Sequence, residues 1–128
     1  MIGKELLRVV VADDHERMRG CLIEILERDF EVIGSASNGY DLIDVAARML
    51  PDVIVSDVQM PRLGGLGAMK VLQQSGLDIP IVFVCSDQGL ADHVAHQFST
   101  CLHKVDALSE LTNAVLCAAG LKPKCKLN

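Results

Sequence analysis

The stretch Pro51-Asp-Val-Ile-Val-Ser-Asp57-Val-Gln-Met-Pro61 decides how this chain folds. Its centre, residues 53–55, is an unbroken β-branched run, the pattern of a strand that is covered on both faces. The run leads directly to Asp57, at the carboxyl end of the strand, where open α/β sheets bind their ligands. Pro61 and Gly64 then force a loop before the next helix. We therefore expect Asp57 to face solvent at the tip of a buried strand.

The rest of the chain alternates similar strand patterns with helical patterns. Apolar residues at helical spacing predict a helix from His15 to Arg28, capped by Asp14, and a second helix that ends before Pro51. Strands that alternate with helices build parallel sheets with right-handed crossovers. We therefore predict an α/β fold, a doubly wound five-stranded parallel sheet with helices on both faces. The other predicted strands are Leu6–Ala12, Phe30–Ser37, Ile79–Cys85 and Thr100–His103. One further predicted helix ends near Gly76, another covers Leu90–Phe98, and the last runs from Asp106 to Gly120.

Length and composition limit the classes of protein to consider. The 128 residues fit one domain, which we place at 1–120, with 121–128 as a short basic tail or the start of a linker. Hydrophobic residues make up 50% of the chain and aromatic residues only 3%, so the core must be aliphatic. The net charge of -5 argues against direct nucleic-acid contact. No apolar run approaches the roughly 20 residues of a membrane span, and the N-terminus lacks a signal-peptide core, so we expect a cytoplasmic protein.

The cysteines and two of the histidines give no recognisable metal or disulfide motif. The 5 cysteines form an odd set without a Cys-x-x-Cys pair, and we expect reduced, mostly buried thiols. His93 and His96 are spaced to share one face of a predicted helix, but no third ligand is evident. We interpret them as part of a solvated helix face.

Several strand ends should deliver reactive side chains to one edge of the sheet. The residues at these ends are Asp13, Asp14, Asp57, Cys85, Ser86 and Lys104. Crowded carboxylates repel each other, and Mg²⁺, which prefers oxygen ligands, relieves that repulsion. With the metal and Lys104 beside it, Asp57 can act as a nucleophile toward phosphorus, because both cations stabilise the oxygens of a transferring phosphoryl group. Taken singly, such acids more commonly cap helices or lie solvated in loops.

Three motifs carry a resemblance to a known family. Val-Val-Val-Ala-Asp13-Asp14-His15 is followed by Asp-Val-Ile-Val-Ser-Asp57-Val-Gln-Met-Pro61 and by Leu-His-Lys104. Together they resemble the receiver domain of two-component response regulators, over essentially the whole chain. The resemblance implies a flavodoxin-like sheet with strand order 2-1-3-4-5. The Asp-Asp-His opening is most similar to receivers that precede a helix-turn-helix DNA-binding domain, so we expect a receiver that acts alone or one detached from an output domain that regulates transcription.

The resemblance also implies a role for each matching residue. Asp57 would accept a phosphoryl group from a histidine kinase, and Lys104 would pair with that group. The resemblance places the metal at Asp14 and Asp57, with Asp13 acting largely through water and Gln59 offering its backbone carbonyl. It implies phosphosignalling rather than enzymatic turnover, beyond self-catalysed phosphorylation and dephosphorylation, and it leaves a homodimer open.

Two positions depart from the pattern of the family. The family places a hydroxyl residue at the position of Cys85, and a thiol is a weak hydrogen-bond donor. Ser86 could replace it only if the strand end twists or bulges, because successive strand residues point to opposite faces. The family places Tyr or Phe where this chain has Cys101. The interval from Cys85 to Lys104 is also about three residues shorter than expected, roughly one helical turn, so phosphoryl acceptance should survive better than the usual signal transmission.

Other functions remain open at the level of sequence. Cys85 and Cys101 favour a pseudo-receiver, a module that binds proteins without phosphorylation, although the acids and Lys104 oppose it. A thiol sensor would use an activated Cys85 near Lys104. A phosphohydrolase would need a second acid in the loop after Asp57, and Gln59 cannot serve as that acid.

Overall fold

A computed structural model describes residues 6–85 and 101–121, with the side chains of 105–108 left out of the description. The described residues form five strands and four helices that alternate, except that β4 and β5 follow each other. The helix predicted over Leu90–Phe98, which includes His93 and His96, lies outside the described residues. The strands are β1 (Arg8–Ala12), β2 (Glu31–Ala36), β3 (Val53–Asp57), β4 (Ile81–Cys85) and β5 (Cys101–His103); the helices are α1 (Glu16–Leu26), α2 (Gly39–Met49), α3 (Gly65–Gln74) and α4 (Lys104–Ala118).

The strands form one parallel sheet in the order β2-β1-β3-β4-β5, which confirms the predicted fold class. Strand β3 is central, with Ala12 of β1 paired to Ser56 and Val84 of β4 paired to Asp57. At the far side, Cys85 pairs with His103 of β5. This register brings the carboxyl ends of β1, β3, β4 and β5 to the same edge of the sheet.

Aliphatic side chains cover both faces of the sheet, as the composition predicts. Alternate residues of β1 and β3 point to opposite sides: Val11 and Val55 pack with α1 and α4, whereas Val10 and Ile54 pack with α2 and α3. Both central strands are therefore buried on each face, which explains their unbroken β-branched sequence. None of the helices that the structure describes has the length and apolar character that a membrane crossing requires.

Local interactions fix where the helices begin. The side chain of Asn38 accepts a hydrogen bond from the Asp41 backbone N–H at 2.9 Å and so caps α2. Helix α3 begins at Gly65, where a Cβ atom would overlap the carbonyl oxygen of Asp57. Only glycine lets the loop after β3 turn so tightly beside the acid.

Some predicted boundaries and states differ from the structure. The residue at the N-cap of α1 is His15, not Asp14, and α4 begins at Lys104 rather than at Asp106. The expectation of reduced, mostly buried thiols is wrong in part, because Cys117 is disulfide-bonded and Cys21 is exposed.

Candidate functional site

Lys104 connects two buried acids at the carboxyl edge of the sheet. Its Nζ lies 3.3 Å from Oδ2 of Asp57 and 3.3 Å from Oδ2 of Asp13. The two acids come from the ends of adjacent strands, and Lys104 begins the helix that directly follows β5. Asp57 is more buried than the sequence predicts: 8% of its side chain is exposed, compared with 0% for Asp13. The structure thus brings together three of the predicted site residues, with Asp57 the more accessible of the two buried carboxylates.

Asp57 and Lys104 both have shifted pKa values. Burial raises the pKa of Asp57, because desolvation penalises the carboxylate by more than the Lys104 ammonium stabilises it, and the charge of Asp13 adds to the rise. Burial acts to lower the pKa of Lys104, but the charges of Asp57 and Asp13 outweigh it, so the net pKa of Lys104 is raised. One ammonium therefore neutralises the two acids only partly.

Asp13 is held in place by contacts with two residues that follow it in the chain. Its Oδ1 accepts the His15 backbone N–H at 2.9 Å, and Arg19 Nη1 donates to its carbonyl oxygen at 2.8 Å. Its buried Oδ2 forms the ion pair with the Lys104 ammonium. A single ammonium is thus shared between Oδ2 of Asp13 and Oδ2 of Asp57. Hard divalent cations take oxygen ligands, so the carboxylates of Asp13, Asp14 and Asp57 fit a metal such as Mg²⁺.

The remaining predicted metal ligands lie around this edge. Asp14 is exposed. Gln59 is also exposed, and its backbone N–H donates to Oδ1 of Asp57 at 3.3 Å. His15 was not among the predicted site residues, yet Asp13, Asp14 and His15 form a group whose ligand atoms all lie within 4.8 Å of one another. The sequence contained the signal for this, since His15 directly follows the acidic pair, but spacing alone does not show where an imidazole points.

The thiols at the unusual positions lie in apolar surroundings. Cys85 is 1% exposed and belongs to a cluster with Val58, Met69 and Phe83, and Cys101 packs against the same cluster. Ser86, the predicted substitute for the hydroxyl, lies outside the described residues. The positions that usually hold a hydroxyl and an aromatic ring therefore help to form a small core here.

The family model of the response regulator receiver domain matches residues 9–116. The chain therefore belongs to that family, and the site described above lies in a receiver domain. It is 37% identical over 81 residues to the response regulator GacA of Pseudomonas aeruginosa, across 62% of this chain and 38% of GacA. It is 39% identical over 84 residues to a protein-glutamate methylesterase/protein-glutamine glutaminase of Clostridium acetobutylicum, across 64% of this chain and 24% of that protein.

Among solved structures, the chain is similar to the signal receiver domain of NarL from Mycobacterium tuberculosis. The TM-score is 0.82 at 25% identity, and the match covers 93% of this chain and 100% of the other. The curated relatives are much longer, since the matches take up 38% of GacA and 24% of the methylesterase. What they share with this chain is a receiver domain, and the activities of the whole relatives do not follow for it.

Proposed function

We propose that this receiver domain takes a phosphoryl group onto Asp57 from the phosphohistidine of a histidine kinase. The observation that carries the proposal is the position of Lys104, whose Nζ lies 3.3 Å from both Asp57 and Asp13. A buried ion pair that only stabilised the fold would not need to lie at the edge of the sheet where ligands bind. It is well placed to stabilise charge on a group attached to Asp57.

The residues of the chain divide the reaction between them. A carboxylate oxygen of Asp57 attacks phosphorus and forms the new P–O bond, while the P–N bond of the donor breaks and its electrons leave with the imidazole. The Lys104 ammonium stabilises the negative phosphoryl oxygens. The backbone N–H of Gln59, bonded to Oδ1 of Asp57 at 3.3 Å, orients the nucleophile. The raised pKa of Asp57 makes this carboxylate more basic than an exposed one, which favours nucleophilic attack once it is ionised.

A divalent metal is part of the proposal because the edge has more negative than positive charge. Asp14, Asp57 and the backbone carbonyl of Gln59 would hold Mg²⁺ directly, and Asp13 would reach it through water. When bound, the metal would neutralise charge on the phosphoryl oxygens during transfer. The support for it is that the one ammonium of Lys104 is shared between the buried carboxylates of Asp13 and Asp57.

The downstream role follows from the family and is also a proposal. We infer that phosphorylation of Asp57 controls an output, of which a helix-turn-helix domain that regulates transcription is the best supported by the Asp-Asp-His opening. Gln59 stands where a phosphohydrolase would need a second acid, which favours a signalling role over an enzymatic one. The proposed location is the cytoplasm, where the kinase domain would meet it, with a homodimer as one form.

Phosphoryl transfer to Asp57 can be tested by intact-protein mass spectrometry with acetyl phosphate. The wild-type protein with Mg²⁺ should gain one phosphoryl group, and Asp57→Asn should gain none. Asp44→Asn is the matched control, because Asp44 is an exposed acid whose partner is Arg48 on the same helix. Removing Mg²⁺ with a chelator should abolish labelling. A folded wild-type protein that stays unlabelled in Mg²⁺, or an equally labelled Asp57→Asn variant, would rule the proposal out.

A further inference from the structure

Arg62 has a backbone conformation that a side chain disfavours. Its φ is +71°, in the left-handed region that glycine adopts more readily. The Leu63 backbone N–H donates to the Pro61 carbonyl oxygen at 2.7 Å, which makes Arg62 the central residue of a γ-turn, a strained form when φ is positive. Among the described residues, Leu50 is the other non-glycine residue with a positive φ, but it ends α2, where that conformation is common. No helix end explains the conformation of Arg62.

The side chain of Arg62 has a partner on a neighbouring helix. Its guanidinium carbon lies 5.4 Å from the centroid of the Tyr40 ring, within the range of a cation–π contact. Tyr40 is in the first turn of α2, and 52% of it is exposed, so its ring contributes little to the core. Arg62 is exposed as well. The pair therefore lies on the surface and joins α2 to the β3–α3 loop, residues 58–64.

The end of the β3–α3 loop is fixed against two helices. The Gly39 backbone N–H donates to the Leu63 carbonyl oxygen at 2.7 Å. A Cβ atom at Gly39 of α2 or at Gly67 of α3 would overlap Leu63, so this residue lies closely between the helices. With Leu63 fixed, the γ-turn before it sets the path of the chain back to Gln59, whose backbone N–H donates to Oδ1 of Asp57 at 3.3 Å. The turn therefore influences how the Asp57 carboxylate is oriented.

We propose that Tyr40 and Arg62 are positioning residues for phosphoryl transfer, because their stacked side chains hold the γ-turn that directs the Gln59 backbone toward Asp57. This deepens the proposed function and rests on it. Strained backbone persists where the surrounding structure holds it in place, commonly at functional sites. If the turn relaxed, Asp57 would be less well aligned for attack on phosphorus, and misalignment lowers the rate of a reaction. Both side chains act through the loop and not on the reacting atoms.

The rate of labelling by acetyl phosphate in Mg²⁺ tests the proposal in the full chain. Tyr40→Leu keeps an apolar side chain but removes the aromatic face. It should slow the labelling of Asp57 by about two- to fivefold, the factor that an exposed cation–π contact can contribute. Tyr40→Phe keeps the ring and should be labelled at the wild-type rate. Arg48→Gln is the matched control, because Arg48 is an exposed arginine of α2 that pairs with Asp44 on its own helix, and it should also be labelled at the wild-type rate.

A second background distinguishes positioning from a general loss of stability. Glycine adopts a positive φ without strain, so in Arg62→Gly the turn no longer depends on Tyr40. Adding Tyr40→Leu to that variant should slow labelling no further. A Tyr40→Leu effect as large in the Arg62→Gly background as in the wild type would overturn the inference, and so would slow labelling of Tyr40→Phe. Circular dichroism verifies that each variant is folded.

Amide hydrogen exchange separates this inference from the proposed function. In the absence of phosphodonor and Mg²⁺, Tyr40→Leu should speed exchange at Leu63, whose N–H closes the γ-turn, by about two- to fivefold, whereas Tyr40→Phe should not. Faster exchange at Leu63 in a protein that is never labelled would reject phosphotransfer and retain the contact that holds the loop. A labelled protein in which neither exchange nor labelling responds to Tyr40→Leu would overturn this inference alone.

Discussion

Similar charged residues are exposed at one edge of the sheet and buried at the other. At the amino edge, the Asp52 carboxylate accepts the Arg8 backbone N–H at 2.8 Å, and the Arg8 guanidinium donates to the Leu50 carbonyl at 3.1 Å. These groups are exposed and bonded. At the carboxyl edge, the carboxylates of Asp13 and Asp57 are buried and share the ammonium of Lys104. The comparison teaches that charge at the amino edge is satisfied by backbone groups and solvent, whereas charge at the carboxyl edge is buried and concentrated around one ammonium.

Removing the central cation should have the largest effect on stability. Lys104→Met keeps the aliphatic stem but leaves the charges of Asp13 and Asp57 facing each other with no cation between them. We expect the free energy of unfolding to fall by about 3 kcal/mol, because breaking a buried ion pair leaves an uncompensated charge. Urea denaturation in the presence of a chelator measures it. Arg8→Met, the corresponding change at the amino edge, should lower stability by less than about 1 kcal/mol. Equal losses would remove the distinction between the edges.

Neutralising Asp57, the proposed phosphoacceptor, should stabilise the metal-free protein. Burial raises the pKa of Asp57, which means that the folded state disfavours its charge. Asp57→Asn should therefore raise the free energy of unfolding by about 0.5–2 kcal/mol while abolishing phosphorylation. Chemical denaturation at neutral pH with a chelator measures the change. A destabilised Asp57→Asn variant would show that the charge supports the fold, as it does at the amino edge.

The raised pKa of Asp57 also predicts how the free energy of unfolding depends on pH. Because the pKa of Asp57 is higher in the folded protein than in the unfolded one, the folded state binds more protons between the two values. The contribution of Asp57 thus favours folding below the unfolded pKa of about 4 and is lost as pH rises through the folded pKa. The stability difference between Asp57→Asn and wild type should grow with pH over that window. A difference that shrinks as pH rises would mean that the sign of the shift is wrong.

Placing a hydroxyl at the end of β4 should lower the stability of the fold and raise the rate of phosphorylation. Cys85→Thr places an O–H donor where the family has one, but in a cluster with Phe83 and Met69 that is otherwise apolar. We expect stability to fall by about 1 kcal/mol and labelling by acetyl phosphate to become faster. Cys85→Val is the control of similar shape, because it lacks the donor and should not accelerate labelling. A rate unchanged by threonine would show that the thiol position takes no part in phosphoryl transfer.

The smallest effect should come from the acid at the amino edge. Asp52→Ala removes the acceptor of the Arg8 backbone N–H, which lies at an exposed position and can bond to water instead. The expected loss is about 0.5–1 kcal/mol, with no change in labelling or Mg²⁺ affinity. Thermal denaturation measures the loss of stability, and mass spectrometry measures the labelling. Impaired labelling of Asp52→Ala would mean that the two edges are coupled.

The sequence by itself determined the architecture of this protein. The β-branched runs of residues 9–11 and 53–55 favoured strands buried on both faces, and the alternation with amphipathic helices predicted a parallel sheet. The sheet then placed Asp13, Asp57 and Lys104 at one edge, as the positions of the strand ends predicted. These features follow from local patterns, because the spacing of apolar residues along the chain indicates whether one face or both faces of a strand or helix are buried.

Only the tertiary structure decided the environment of each side chain at that edge. Spacing could not show that Asp57 retains 8% exposure and Asp13 none, that Cys85 joins an apolar cluster, or that the His15 imidazole lies beside the acidic pair. These properties depend on residues from several elements, such as Lys104 at the start of α4 and Gly65 at the start of α3. Burial and charge act over distances of several ångströms in space, whereas the sequence records only neighbours along the chain.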